Sequence, residues 1–202
     1  MKIVEIFKSL QGEGREQGKI CTFIRLSGCN LRCAWCDTSY AWEGGTEWEE
    51  EEILAAVRRE GSRLICITGG EPLLQEEDVA HLARALQDRR YAVGIETNGT
   101  IDFCAVQPYA AVCMDVKCPS SGETSDLDLL SRITKRDDVK FVVKDDRDLV
   151  YMQEVLARYP IPGETIVEPV YGSNLQQIAG YILDHNLPVR FQVQLHKVIG
   201  VR

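Results

Sequence analysis

Three cysteines fall within eight residues, in Cys29-Asn30-Leu31-Arg32-Cys33-Ala34-Trp35-Cys36, directly after the apolar run Phe23-Ile24-Arg25-Leu26. Thiolates gathered on a short loop at a strand end are metal ligands, and three of them suit an iron–sulfur cubane. With four irons and three protein ligands, one iron stays open to bind a small molecule. Structural zinc would take its fourth ligand from a second C-x2-C or an H-x3-H pair, and the chain has neither. The remaining alternative for a cysteine is burial as a small apolar side chain. That is the expectation for Cys21, Cys66, Cys104, Cys113 and Cys118, which sit on or near apolar runs.

A second cluster of chemistry-bearing residues is Thr68-Gly69-Gly70-Glu71-Pro72, after the apolar run that begins at Leu64. Paired glycines let backbone approach a ligand closely and expose unhindered carbonyls and amides. Taken alone, such a segment is equally consistent with a plain turn. Thr97-Asn98-Gly99 and Asp115-Val116-Lys117 also close apolar runs, and so belong at strand ends.

The elements that must position these residues follow from hydrophobic periodicity. Strands are predicted over residues 2–7, 20–27, 64–68, 91–96, 111–116, 139–143, 165–167 and 189–193, and helices over 47–60, 76–89, 147–158 and 174–186. Thr46 with Glu49 three residues on predicts a capping box for the first helix. Residues 119–126 read as a polar loop. Strands alternating with helices predict a mainly parallel sheet with right-handed crossovers, its ligands gathered at the C-terminal strand ends. A closed eight-fold barrel takes about 250 residues. The 202 residues here predict an open, partial (β/α) barrel within one domain, 1–202.

Composition narrows the function classes. A net charge of −8 argues against nucleic acid, whose phosphates call for clustered Lys and Arg. No apolar run approaches the roughly 18 residues of a membrane span, and Glu5 interrupts any signal-peptide pattern. Eight cysteines in a chain that is neither short nor loop-rich read as reduced thiols rather than disulfides. The expectation is a cytoplasmic protein acting on a small molecule, with no membrane partner.

The C-x3-C-x2-C spacing, with an aromatic residue before its last Cys, resembles the signature of the radical S-adenosylmethionine superfamily. The resemblance implies a [4Fe-4S] cluster on Cys29, Cys33 and Cys36, S-adenosylmethionine on the open iron, and a 5′-deoxyadenosyl radical. In that frame Gly69 and Gly70 resemble the segment that holds the methionine ammonium. More specific motifs are Ser9-Leu10-Gln11-Gly12-Glu13-Gly14, the pair Phe23 and Arg25, Cys36-Asp37-Thr38, Asp115-Val116-Lys117-Cys118-Pro119 and His196-Lys197. Together they resemble the 7-carboxy-7-deazaguanine synthase family, from Leu10 to Lys197.

That resemblance implies a ring-contracting lyase. 6-Carboxy-5,6,7,8-tetrahydropterin would become 7-carboxy-7-deazaguanine with loss of ammonia, in queuosine and deazapurine biosynthesis. It implies Mg²⁺ on the hydroxyl of Thr38, where the plainer role is to stabilise a turn. Substrate contacts carried over are Leu10, Gln11, Gly12, Glu13, Arg25, Thr68, His196 and the terminal carboxylate of Arg202. Arg25, inside an apolar strand, has an internal salt bridge as its alternative, and His196 that of a hydrogen-bonded core histidine. Contacts to S-adenosylmethionine carried over are Trp35, Asp37, Gly70, Glu71, Asp115, Val116 and Lys117, with Glu168, Pro169, Val170 and Tyr171 closing over the adenosine. An electron donor such as flavodoxin and a homodimer complete the implied partners.

Two other readings share features of this sequence. A glycyl-radical activase has the same cysteine spacing, but its groove must admit a peptide loop, whereas residues 10–14 and His196-Lys197 point to a small substrate. A non-enzymatic iron–sulfur electron carrier would take four protein ligands and has no use for Gly69-Gly70-Glu71.

Overall fold

The computed structural model describes residues 1–201; Arg202, the predicted carrier of a substrate-binding carboxylate, lies outside the described residues. In chain order the elements are strands β1 (Lys2–Leu10), β2 (Ile20–Leu26) and β3 (Thr46–Glu47), helix α1 (Glu50–Glu60), β4 (Leu64–Gly69), α2 (Glu76–Asp88), β5 (Ala92–Thr97), β6 (Ala111–Val116), β7 (Asp138–Val143), α3 (Asp146–Arg158), β8 (Glu164–Pro169), α4 (Leu175–Asp184), β9 (Arg190–Phe191) and α5 (Leu195–Ile199). They form one sheet in the order β3-β1-β2-β4-β5-β6-β7-β8-β9. From β2 onward every neighbour is parallel, while β1 runs antiparallel to both β2 and β3. The two edges do not pair, which makes this the expected open, partial (β/α) barrel.

Period-2 alternation splits the sheet into two environments. Ile65 and Ile67 of β4, Val93 and Ile95 of β5, Val112 and Met114 of β6, and Val139 and Phe141 of β7 face outward into the apolar core. Helices cover that face with stripes at spacings of three and four, such as Val79, Leu82, Ala83 and Leu86 on α2 and Leu149, Met152 and Val155 on α3. The alternate residues face inward and are largely polar, among them Thr68, Glu96, Asp115 and Lys140. Burial of the outer face holds the barrel together and leaves the inner face available for chemistry.

Several sequence expectations need correction. Thr46 does not cap α1, because it pairs with Ile3 in β3; the helix starts later, and the Glu49 N–H donates to Glu52 Oε2 at 2.9 Å. Strand β9 is only two residues long, because Gln192 and Gln194 turn their side chains onto the β1–β2 loop, donating to Gly14 O and Glu13 Oε1. Helix α5 was not predicted: five residues are too few for a helical period to show. Cys104 is exposed on a turn, where its N–H donates to Asp102 Oδ1, and Cys113 is only half-buried, since it occupies an inward position of β6.

Candidate active site

The β1–β2 loop crosses the open seam of the barrel. Gln11 donates to Glu96 Oε1 on β5 at 3.3 Å, Arg15 Nε to Asp138 Oδ1 on β7 at 2.6 Å, and Gln17 Nε2 to Val193 O at 2.8 Å. The Leu195 N–H donates to Gly12 O at 3.1 Å, so the C-terminal segment clasps the same loop. Between this loop and the C-terminal strand ends lies a cavity of about 450 Å³.

At one rim stand the half-buried thiols of Cys29, Cys33 and Cys36, all free. Their loop is braced from three sides. The Ala34 N–H donates to Ser121 O at 2.8 Å, the Arg32 N–H to Glu123 Oε1 at 2.7 Å, and Asn98 Nδ2 to Asn30 Oδ1 at 2.9 Å. Gly70 packs against its start so closely that a Cβ there would lie 2.2 Å from Gly28 O and 2.7 Å from Cys29 Cβ. Any side chain at position 70 would displace the first ligand of the motif.

Among the described residues no three His, Cys, Asp or Glu side chains converge as ligands of one ion do. A cubane offers a separate iron to each thiolate, so the three cysteines fit a cluster without converging on a point. The Leu31 N–H, 3.4 Å from Cys29 Sγ, adds a donor that favours the charged sulfur. Burial pushes the Cys33 thiol up to about 11, opposed by the Lys117 ammonium. A bound iron deprotonates a coordinating thiol outright.

Beside the cysteines, Trp35 donates from Nε1 to Ser120 Oγ at 3.1 Å and carries Lys117 Nζ 5.6 Å from its ring centroid. Lys117 Nζ also pairs with Asp115 Oδ2 at 2.8 Å; burial pulls its pKa down, but Asp115 and Cys33 together outweigh this and leave it raised. Asp37 accepts from Thr38 Oγ1 at 2.8 Å and from Lys197 Nζ at 2.7 Å, with His196 Nε2 at 4.0 Å. Thus α5 is tied to the residue that follows the last cysteine.

The cavity is also lined by Leu10, Gln11, Gly12, Glu13, Arg25, Thr68 and His196, and by Gly70, Val170 and Tyr171. Arg25 already has an internal salt bridge, Nε to Glu5 Oε1 at 2.8 Å, and its guanidinium lies 5.8 Å from the centroids of both Phe7 and Tyr40. Thr68 Oγ1 donates to Glu96 Oε2 at 3.3 Å.

Four residues carried over as cofactor contacts do not line the cavity. Val116 and Pro169 are buried at outward positions of their strands, so alternation turns both side chains away. Glu71 is fully buried, and its carboxylate accepts from the Leu73 N–H, the Asn98 N–H and Thr97 Oγ1 at 2.6–3.0 Å. Burial raises the pKa of Glu71, and these donors oppose the rise. Glu168 is inward by register, opposite Val142, but fully covered.

Sequence reasoning missed Glu96, Lys140, Phe7, Trp42, Cys113 and Gln194, all of which line the cavity. The available signal was parity: once Thr68 and Asp115 are taken as inward, Glu96 and Lys140 share their face by register. Lys140, in the apolar run of β7, was the clearest anomaly.

The comparisons agree with this geometry. A family model described as Radical SAM superfamily matches residues 23–114. The chain is 50% identical over 201 residues to a 7-carboxy-7-deazaguanine synthase of Methanospirillum hungatei, covering 100% of this chain and 86% of the relative. It is 38% identical over 203 residues to a 7-carboxy-7-deazaguanine synthase of Thermoplasma acidophilum, covering 98% and 97%. Among solved structures, that of QueE from Escherichia coli superposes with a TM-score of 0.80 at 28% identity, covering 96% of this chain and 94% of that one.

Proposed function

Since the chain belongs to the 7-carboxy-7-deazaguanine synthase family of the radical S-adenosylmethionine superfamily, we propose that its cavity binds 6-carboxytetrahydropterin beside the cysteine loop and contracts the pterin ring with loss of ammonia. The enzyme is a radical S-adenosylmethionine lyase of queuosine and related deazapurine biosynthesis. The observation that supports the site assignment is one cavity lined both by three free thiols and by Gln11, Glu13 and His196.

A [4Fe-4S] cluster and S-adenosylmethionine, when bound, would supply the chemistry of reversible hydrogen-atom abstraction. The chain's own residues do the rest. Cys29, Cys33 and Cys36 hold the cluster, and Gly70, packed against Gly28 and Cys29, fixes the start of their loop and lines the cavity where the methionine ammonium would lie. Trp35, Asp37, Asp115 and Lys117 hold the remainder of S-adenosylmethionine, with Val170 and Tyr171 over the adenosine. Leu10, Gln11, Gly12 and Glu13 read the pterin edge, Thr68 and His196 contact its ring, and Arg25 receives its carboxylate through guanidinium nitrogens beyond the one held by Glu5. The β1–β2 loop and α5 together exclude water from the radical.

Mg²⁺ belongs to this reading. Thr38 places its hydroxyl on the cavity wall, a hard oxygen donor of the type Mg²⁺ prefers. The protein works as one domain, 1–202, supported by its continuous sheet. A homodimer is supported by the exposed apolar side chains Leu175 and Leu183 of α4 and Val198 and Ile199 of α5. No helix among the described residues is long and apolar enough to cross a membrane. Eight free thiols suit a reducing cytoplasm, where flavodoxin or a similar carrier supplies the electron.

The test is anaerobic incubation of the iron-reconstituted protein with carboxytetrahydropterin, S-adenosylmethionine, Mg²⁺ and a reductant. 7-Carboxy-7-deazaguanine and ammonia are the expected products. Formation of 5′-deoxyadenosine without either product overturns the substrate assignment.

A further inference from the structure

One ammonium beneath the cavity faces two carboxylates and hydrogen-bonds to only one. Lys140 of β7, its side chain 6% exposed, donates from Nζ to Glu13 Oε2. Glu168 Oε2 lies 3.9 Å from the same nitrogen, beyond hydrogen-bonding distance, and neither oxygen of Glu168 has a hydrogen-bond partner among the described residues. Glu168 is 0% exposed. An ionised carboxylate that is buried without a donor is strongly disfavoured, and a second carboxylate nearby disfavours it further. The arrangement of lowest energy therefore has Glu13 ionised and Glu168 protonated.

The electrostatics of the pair point the same way. Burial raises the pKa of Glu13, yet Lys140 and the Gln194 hydrogen bond together outweigh burial and hold it below the ordinary range. Burial, with Glu13 nearby, pushes Glu168 well above that range. Two carboxyl groups driven apart around one cation take two different roles. Glu13 lines the cavity and Glu168 does not.

Glu13 is also fixed from its other side. Gln194 Nε2 donates to Oε1 at 3.0 Å, so β7 and the segment before α5 hold the two oxygens separately. Each carboxylate oxygen keeps a lone pair after accepting one donor. We propose that Lys140 is a positioning residue for substrate recognition: backed by the Glu168 carboxyl, it holds Glu13 as an oriented carboxylate that accepts the adjacent ring N–H and amino donors of the substrate's aminopyrimidinone edge. This rests on the pterin reading above. It adds to it a residue on β7 that touches no reacting atom, and it assigns Glu168 to that residue rather than to the adenosine.

The experiment is a double-mutant cycle on the reconstituted holoenzyme, with KM for carboxytetrahydropterin as readout and iron content and melting temperature as folding checks. Lys140→Met and Glu13→Gln are each expected to raise KM about 10–100-fold, the loss of one charge-assisted hydrogen bond. The double variant is expected to be no worse than either single one, because Lys140 acts through Glu13. Lys140→Arg keeps the cation and is expected to restore KM most of the way. If Lys140→Met does not accumulate folded protein, the cycle is run with Lys140→Gln, where the same non-additivity is expected. Additive losses, or a folded variant lacking the Lys140 cation that keeps wild-type KM, overturn the proposal. A wild-type protein that makes no deazaguanine fails the pterin reading instead, before any variant is compared.

Discussion

Gly12 and His196 are in contact, and a Cβ on Gly12 would lie 2.1 Å from His196 Nδ1. The imidazole rests on bare backbone, and the Gly12 carbonyl accepts from the Leu195 N–H and from Gln17 Nε2. The β1–β2 loop and α5 therefore meet without space for a methyl group. Gly12→Ala is expected to force His196 aside at a cost of about 1–3 kcal/mol, the usual range for overpacking. Turnover is expected to fall about tenfold or more with iron content retained, as measured by product formation alongside iron analysis.

The Lys197–Asp37 ion pair joins α5 to the cysteine loop at 2.7 Å, with the two side chains 23% and 43% exposed. Pairs of this exposure contribute on the order of 0.2–1 kcal/mol and are screened by salt. Lys197→Ala is expected to raise KM for the substrate a few-fold at low ionic strength. The difference from wild type is expected to shrink in high salt; a gap that persists there shows that the charge is not what Lys197 contributes.

Glu71 ties the Gly-Gly turn to the end of β5 through donors from Leu73, Thr97 and Asn98. Glu71→Ala leaves these buried donors unmatched, at about 1–3 kcal/mol. For a chain of this size about 2–4 °C in Tm accompanies each kcal/mol. Calorimetry is expected to show a drop of roughly 2–12 °C. A variant with wild-type Tm and weakened S-adenosylmethionine binding would return Glu71 to the cofactor site.

Glu168 has its folded pKa raised by burial above the ordinary 4.5. Between those two values the folded state binds the extra proton, so this group's contribution to stability is complete below 4.5 and is lost as pH rises toward the folded value. Glu168→Gln removes the titration and is expected to flatten the pH dependence of Tm over that window. Infrared difference spectra are expected to show a protonated carboxyl band in the wild type that is missing in this variant. No such band at neutral pH would falsify the assignment of the proton.

Cys33 and Cys104 separate ligand from bystander. Cys33→Ser is expected to lose most bound iron and all 5′-deoxyadenosine formation. Cys104→Ser, at an exposed turn away from the cavity, is expected to keep both at wild-type level. Iron loss in the Cys104 variant would mean that the cluster recruits a thiol outside the motif.

Much of the architecture was legible because outward residues of the strands are apolar and helices repeat every three to four residues. Strand β6 was located to the residue, since 111–116 alternates half-open and buried positions along its whole length. The short elements were not legible. Strand β3 and helix α5 owe their conformation to pairing with β1 and to contact with the β1–β2 loop, which no local pattern records. Among the site residues, Glu71, Val116, Glu168 and Pro169 stood in the right segments but not on the cavity wall. A motif marks a stretch of backbone, and strand parity then decides which of its side chains face inward.

From the sequence alone, the spacing of Cys29, Cys33 and Cys36 determined the kind of metal chemistry, because ligand number and loop length are local properties of the chain. The order of strands and helices determined a mainly parallel sheet with its site at the strand ends, for the same local reason. Only the tertiary structure decided which charges share that site. Lys140 stands 127 positions from Glu13, and Gln194 stands 181 positions from it. Their meeting depends on the sheet curling until the β1–β2 loop reaches β7 and α5, an outcome of burying the whole outer face at once.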